Sequence, residues 1–128
     1  MKIDFFKHNV NKVDINNVVR VLQTIFLTTG EDVSDFEKEL AAYTGNKYAI
    51  GVTSCTDALF LAAKYLGFKP GDEVITTPMS FIATANVIEY CGATPVFVDV
   101  EADTGNIDAS LIEAAITKKT KGIILTHL

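Results

Sequence analysis

Thr53-Ser54-Cys55-Thr56 carries hydroxyls and a thiol between two very different stretches. Before it runs the apolar segment Tyr48-Ala49-Ile50-Gly51-Val52. After it, Leu59, Ala62, Ala63 and Leu66 recur at the spacing of one helix face. A strand, a tight turn and a helix N-terminus are the elements this pattern predicts. The first N–H groups of a helix have no acceptor inside it, and the helix dipole adds partial positive charge at the same place. An anion, most usefully a phosphate, is therefore stabilised at Ser54 to Asp57. The same residues also read as an ordinary helix cap, with Ser54 or Thr56 as the capping side chain.

Three further strand ends bring other chemistry: Thr77-Pro78-Met79-Ser80, Asp99-Val100-Glu101 and Thr126-His127. In open α/β sheets ligands bind beyond the carboxyl ends of the strands. Pooled there are hydroxyls, a helix N-terminus, a histidine and the aromatic Phe81. That set suits a flat phosphorylated ligand, with its phosphate at Thr56 and its ring against Phe81. It contains no evident nucleophile–base pair. Neither G-x-G-x-x-G nor G-x-x-x-x-G-K-[ST] occurs, which disfavours a dinucleotide or nucleoside triphosphate site. His127 reads as a hydrogen-bonding strand-end residue, Asp72 and Asp99 as turn and strand-end residues, and Cys91 as a small buried hydrophobe. Glu37, Lys38 and Glu39 read as a solvated helix face.

The elements that must position these groups follow from the hydrophobic periods. Residues 1–13 form a polar lead-in. Asp14 is positioned to cap a helix bearing Ile15, Val18, Val19, Val21, Leu22 and Ile25, which Thr28-Thr29-Gly30 ends. Ser34 and Glu37 have capping-box spacing ahead of Phe36, Leu40 and Tyr43, and Gly45 stops that helix. Strands are expected at about 47–52, 73–77, 94–100 and 121–127. Helices are expected at about 55–67, from Phe81 to near Gly92, and after Asp108. Strands alternating with helices give an α/β fold with a mostly parallel sheet.

The 128 residues suffice for one domain with a real core. With 48% hydrophobic and 21% charged residues the chain is globular. Its net charge of -5, without a basic block, argues against nucleic acid as a partner. Two separated cysteines offer neither a disulfide framework nor a metal site. No long apolar segment suggests a signal peptide or a membrane helix, so a soluble, cytoplasmic protein is expected.

Seven segments in order then carry a resemblance: Leu27-Thr28-Thr29-Gly30, Phe36-Glu37-Lys38-Glu39-Leu40-Ala41, Ser54-Cys55-Thr56-Asp57-Ala58-Leu59, Gly71-Asp72-Glu73-Val74-Ile75-Thr76, Ala83-Thr84-Ala85-Asn86, Gly92-Ala93-Thr94-Pro95-Val96-Phe97-Val98-Asp99 and Thr120-Lys121-Gly122-Ile123. Together they strongly resemble the DegT/DnrJ/EryC1/StrS aminotransferases, which make amino sugars on nucleotide carriers. The resemblance implies the fold type I architecture of pyridoxal 5'-phosphate (PLP) enzymes, the N-terminal part of its large domain, and a homodimer. It implies that Ser54, Cys55 and Thr56 hold the PLP phosphate and that Phe81 lies on the cofactor ring. It also implies that Thr29 and Gly30 lie by the sugar-nucleotide pocket. Most relatives carry Ser-Gly-Thr where this chain has Ser54-Cys55-Thr56, and a proline is common where Glu31 stands. The backbone N–H survives the first change, because every residue but proline has one.

PLP transamination needs a Schiff-base lysine and an acid on the pyridinium nitrogen. The resemblance places both after residue 128, so no catalytic residue is expected within the chain. Lys64, Lys69, Lys118, Lys119 and Lys121 lie in helix or turn patterns and match no cofactor lysine. The chain is thus expected to be an N-terminal fragment, inactive alone, of an enzyme transferring an amino group, from glutamate, to a keto-sugar nucleotide. Two alternatives remain: another fold type I PLP enzyme, such as an aldolase or cysteine desulfurase, or a non-catalytic binding or assembly fragment.

Overall fold

The computed structural model describes residues 7–28 and 30–128. The chain divides into two compact units, Met1–Gly51 and Val52–Leu128. In the first, helix α1 spans Lys12–Leu22 and helix α2 spans Glu31–Thr44. In the second, the order is helix α3 (Cys55–Tyr65), strand β1 (Glu73–Thr76), helix α4 (Ala83–Tyr90), strand β2 (Thr94–Phe97), helix α5 (Ala109–Ala115) and strand β3 (Thr120–Ile123).

The sheet has the order β2-β1-β3, and both pairings are parallel. This is the expected α/β fold. β1 lies in the centre because Val74, Ile75 and Thr76 are apolar or β-branched and can be buried on both faces. Alternation sends Val74 and Ile75 to opposite sides. Val74 joins Ala63, Phe68, Ile88, Cys91 and Ala93 under α3 and α4. Ile75 joins Val98 and Ile107, with Ile112 of α5 against them. Pairing with β3 shifts register between Glu73 and Val74, so Glu73 faces Thr120 while Val74 faces Gly122. Gly122 fits there because a Cβ would stand 2.9 Å from the Phe68 ring.

Several expected boundaries move. Asn11, not Asp14, is the N-cap of α1. Its side chain accepts from Val13 and Asp14, and the Asp14 carboxylate accepts from the Asn11 N–H at 2.9 Å. Asp14 is the reciprocal partner in a capping box, which explains its capping signature. α1 ends at Leu22, well before Thr28 and Gly30, and the Thr24 hydroxyl takes up the Val21 carbonyl. Gly30 instead begins α2 as its N-cap, with Glu31 and Asp32 supplying negative charge in the first turn. Ser34 therefore lies inside the helix, and the Ser34–Glu37 capping box does not form. Glu37 accepts the Gly51 N–H at 2.6 Å. Gly45 ends α2 in the left-handed region, as expected.

Residues 47–52 hold a bend at Lys47 and no regular structure after it, and belong to no strand of the described sheet. A strand exists only through a hydrogen-bonded neighbour, and here the Gly51 N–H goes to a side chain. The other strands are four residues each and shorter than expected. Beyond β2, Val100 turns into an antiparallel bridge with Ile107. Beyond β3, Ile124 donates to Ile75 before the chain leaves the ladder. Asp108 caps α5 through the Ser110 N–H, as expected. No described helix is long and apolar enough to cross a membrane.

Candidate functional site

α3 starts where the sequence expects it. Ser54 is the N-cap in extended conformation, and its Oγ accepts the Asp57 N–H at 3.1 Å. The first carbonyl inside the helix ladder is that of Ser54, which receives Ala58 N–H at 3.1 Å. The N–H groups of Cys55 and Thr56 precede this ladder and find no acceptor among the described residues. Two adjacent donors, the helix dipole and the half-buried Thr56 hydroxyl thus share one end of one helix. The cap uses the Asp57 N–H and leaves the two before it, so capping does not compete for the donors an anion would need.

Asp57 adds a negative charge to this turn. Its carboxylate accepts from the Ser54 hydroxyl at 2.9 Å and from the Thr53 hydroxyl. The Thr53 hydrogen bond, then the Ser54 one, holds the Asp57 carboxyl below the usual carboxylate range. These hydroxyls favour the charged form. A depressed folded-state pKa contributes stability that is present above the unfolded pKa and lost as pH falls through the folded one. The Asp57 contribution to stability is therefore expected to fall away as pH drops from the ordinary carboxylate range to the lowered pKa of the folded state. Asp57→Asn is expected to remove that component of the decline. Urea midpoints measured from neutral pH downward check it. A wild-type and variant difference that does not vary with pH counts against this role.

Phe81 lies between the end of β1 and the start of α4, and the residue is 77% exposed. It lines a hollow of about 320 Å³, bounded also by Thr77, Pro78, Ser80, Ile82, Thr84, Ala85 and Phe97. A separate hollow beside the phosphate-ready turn is lined by Val52, Thr53, Asp57, Phe60 and Leu61. The two share no lining residue. α3 and α4 pack side by side, with Phe60 edge-on to Tyr90 at 6.3 Å between ring centroids.

Gly30 belongs to the first unit and lines a hollow with Arg20, Thr24, Ile25, Phe26, Glu31 and Asp32. A Cβ at Gly30 would stand 2.8 Å from the Phe26 carbonyl oxygen, so only glycine lets the loop turn this tightly into α2. Arg20 pairs with Asp32 beside it. Thr29 lies outside the described residues.

Cys55 is exposed and Cys91 buried, the latter as its expected role as a small hydrophobe requires. Asp72 accepts the Lys69 N–H in its turn, and the Asp99 carboxylate accepts the Val100 N–H. Missed from the sequence were the partners of the Ser80 hydroxyl. It meets Thr84 at 2.6 Å and Thr126 at 2.8 Å. The hydroxyls were visible at two strand ends, but nothing local joins residues so far apart.

A parallel α/β sheet, a helix N-terminus with two acceptor-free donors and an exposed aromatic past the end of β1 make up the candidate site of this α/β chain. The chain belongs to the DegT/DnrJ/EryC1/StrS aminotransferase family, whose model matches residues 8–128. The spore coat polysaccharide biosynthesis protein SpsC of Bacillus subtilis is 49% identical over 118 residues, covering 92% of this chain and 30% of that protein. GDP-perosamine synthase of Caulobacter vibrioides is 45% identical over 112 residues, covering 87% of this chain and 30% of that protein. Among solved structures, Spr1654 of Streptococcus pneumoniae in its PMP-form superposes with a TM-score of 0.90 at 40% identity, covering 98% of this chain and 32% of that one. The chain thus spans about a third of the length of the relatives it matches.

Proposed function

We propose that residues 1–128 belong to the large domain of a PLP-dependent aminotransferase acting on a keto-sugar nucleotide, with glutamate as amino donor and a homodimer as the working form. The observation that carries this reading is the pair of acceptor-free N–H groups at Cys55 and Thr56, at the position where the family resemblance puts a phosphate. The donor set suits PLP: two N–H groups, a hydroxyl and a helix N-terminus for the phosphate, and an exposed aromatic for the ring. When bound, PLP supplies an electron sink conjugated to the substrate nitrogen. The chain's own residues do the holding. Ser54 fixes the first turn of α3, Cys55 and Thr56 donate to the phosphate, and Phe81 presents its face to the ring. Gly30, with Thr29, borders the sugar-nucleotide pocket.

No lysine of this chain is assigned to the cofactor, and the activity is assigned to the whole enzyme in a cytoplasmic setting. Adding PLP and then borohydride to the 128-residue chain tests the reading. Peptide mass analysis is expected to find no reduced lysine adduct within it. A stoichiometric adduct on any one of these lysines would overturn the reading.

A further inference from the structure

We propose that the hydroxyl chain Thr126–Ser80–Thr84 is a positioning device that sets the Phe81 ring for the cofactor. This rests on the reading of Phe81 as the ring-facing residue. Within this chain Phe81 is mostly exposed, so the described residues supply little packing of its side chain to fix its direction. Its backbone must be held from both sides. On one side the Thr84 N–H donates to the Phe81 carbonyl at 3.0 Å, joining Phe81 to the start of α4. On the other, Ser80 Oγ stands between Thr84 Oγ1 at 2.6 Å and Thr126 Oγ1 at 2.8 Å. A hydroxyl has one proton and two lone pairs, so Ser80 can donate to one threonine while accepting from the other. Thr84 is buried at 6% exposure, which makes its partner matter.

The Thr126 contact differs in kind from the rest. Thr77, whose hydroxyl accepts the Met79 N–H at 3.2 Å, and Thr84 are neighbours of the turn they hold. Thr126 reaches it across 46 residues, from the segment after β3. That segment is itself anchored to β1: Ile124 N–H donates to the Ile75 carbonyl, and the Thr76 hydroxyl donates to the Ile124 carbonyl at 3.0 Å. The Phe81 turn is therefore referenced to the sheet, rather than only to its own helix. Without the Thr126 hydroxyl, residues 78–81 keep their local bonds and lose that reference. The ring then samples more directions, and stacking against a flat partner weakens.

The experiment compares holoenzymes carrying Thr126→Val, Thr126→Ser and Phe81→Leu. Thr126→Val removes one hydroxyl at nearly constant shape. It is expected to weaken PLP binding about fivefold, the scale of one net hydrogen bond, and to shift the absorption band of the bound cofactor. Thr126→Ser is expected to restore both. Phe81→Leu is expected to shift the band in the same direction and further. If Thr126→Val lowers only thermal stability, with wild-type affinity and spectrum, the positioning role is overturned while the role of Phe81 stands. If Phe81→Leu leaves affinity and spectrum unchanged, the ring-facing assignment fails and the positioning role with it. Should Thr126→Val not fold, Ser80→Ala is read by the same two measurements, and a wild-type spectrum there overturns the proposal.

Discussion

Cys55→Pro is expected to weaken PLP binding by roughly ten- to a hundredfold while leaving the stability of the chain almost unchanged. The two effects separate because the Cys55 N–H does nothing for the helix. Cys55 is the first residue of α3, and Ser54 before it is extended at φ -158 and ψ 160. Proline is well accepted at the first helical position, and an extended residue before it avoids the usual clash. The folded state therefore loses no hydrogen bond. A bound phosphate does lose one, and a hydrogen bond to a charged group is worth about 1.5–3 kcal/mol. Spectroscopic titration of the holoenzyme's apo form with PLP reads the affinity, and urea unfolding reads the stability. Pyridoxal, which lacks the phosphate, is expected to bind both proteins alike. Cys55→Gly keeps the N–H and is expected to match wild type within about twofold, an effect too small to equal one hydrogen bond. Unchanged PLP affinity in a folded Cys55→Pro protein would leave α3 with a capped end and no phosphate role.

What the sequence showed and what it hid divide along one physical line. α3 was legible because its period, its cap and its turn are all local: Ser54 bonds Asp57 three residues on. β1 was legible for a similar reason, with β-branched residues ended by Pro78. The capping of α1 was half legible. Asn11 and Asp14 cap each other's backbone, so either one alone resembles the start of the helix. Gly30 was read as a helix stop because glycine commonly ends helices, yet here its missing Cβ makes room for the Phe26 carbonyl. Residues 47–52 have the composition of a strand, but the partner that would make them one is not a property of the segment. The Ser80–Thr126 contact is the extreme case. Each residue has an ordinary hydroxyl at an ordinary strand end, and only the parallel pairing of β1 with β3 brings them together. The separation of α1 and α2 from the rest as their own unit was likewise hidden, since an amphipathic helix does not name what covers it.

Ile88→Ala is expected to destabilise the chain by about 2–5 kcal/mol, the usual range for emptying a fully buried branched site. Ile88 has no exposed surface and sits at the middle of the cluster formed with Ala63, Phe68, Val74, Cys91 and Ala93. Three elements meet on it: α3 through Ala63, β1 through Val74, and α4 itself. Its small neighbours Ala63, Cys91 and Ala93 cannot swing inward to fill the space, so most of the cavity would persist. Domains commonly have only about 5–15 kcal/mol of stability, so a loss of this size consumes a large share. A urea midpoint that falls with an unchanged slope is the expected signature. Ile50→Ala serves as the contrast: Ile50 is 81% exposed, and a change within about 0.5 kcal/mol is expected. The consequence reaches the candidate site, because α4 carries Thr84 at its start and packs on the helix whose first turn offers the phosphate donors. An Ile88→Ala protein that is still folded is therefore expected to bind PLP more weakly, although Ile88 belongs to neither the Cys55–Thr56 turn nor the hollow lined by Phe81. If its midpoint moves by less than the Ile50→Ala control, the packing of α3 on α4 does not depend on this cluster.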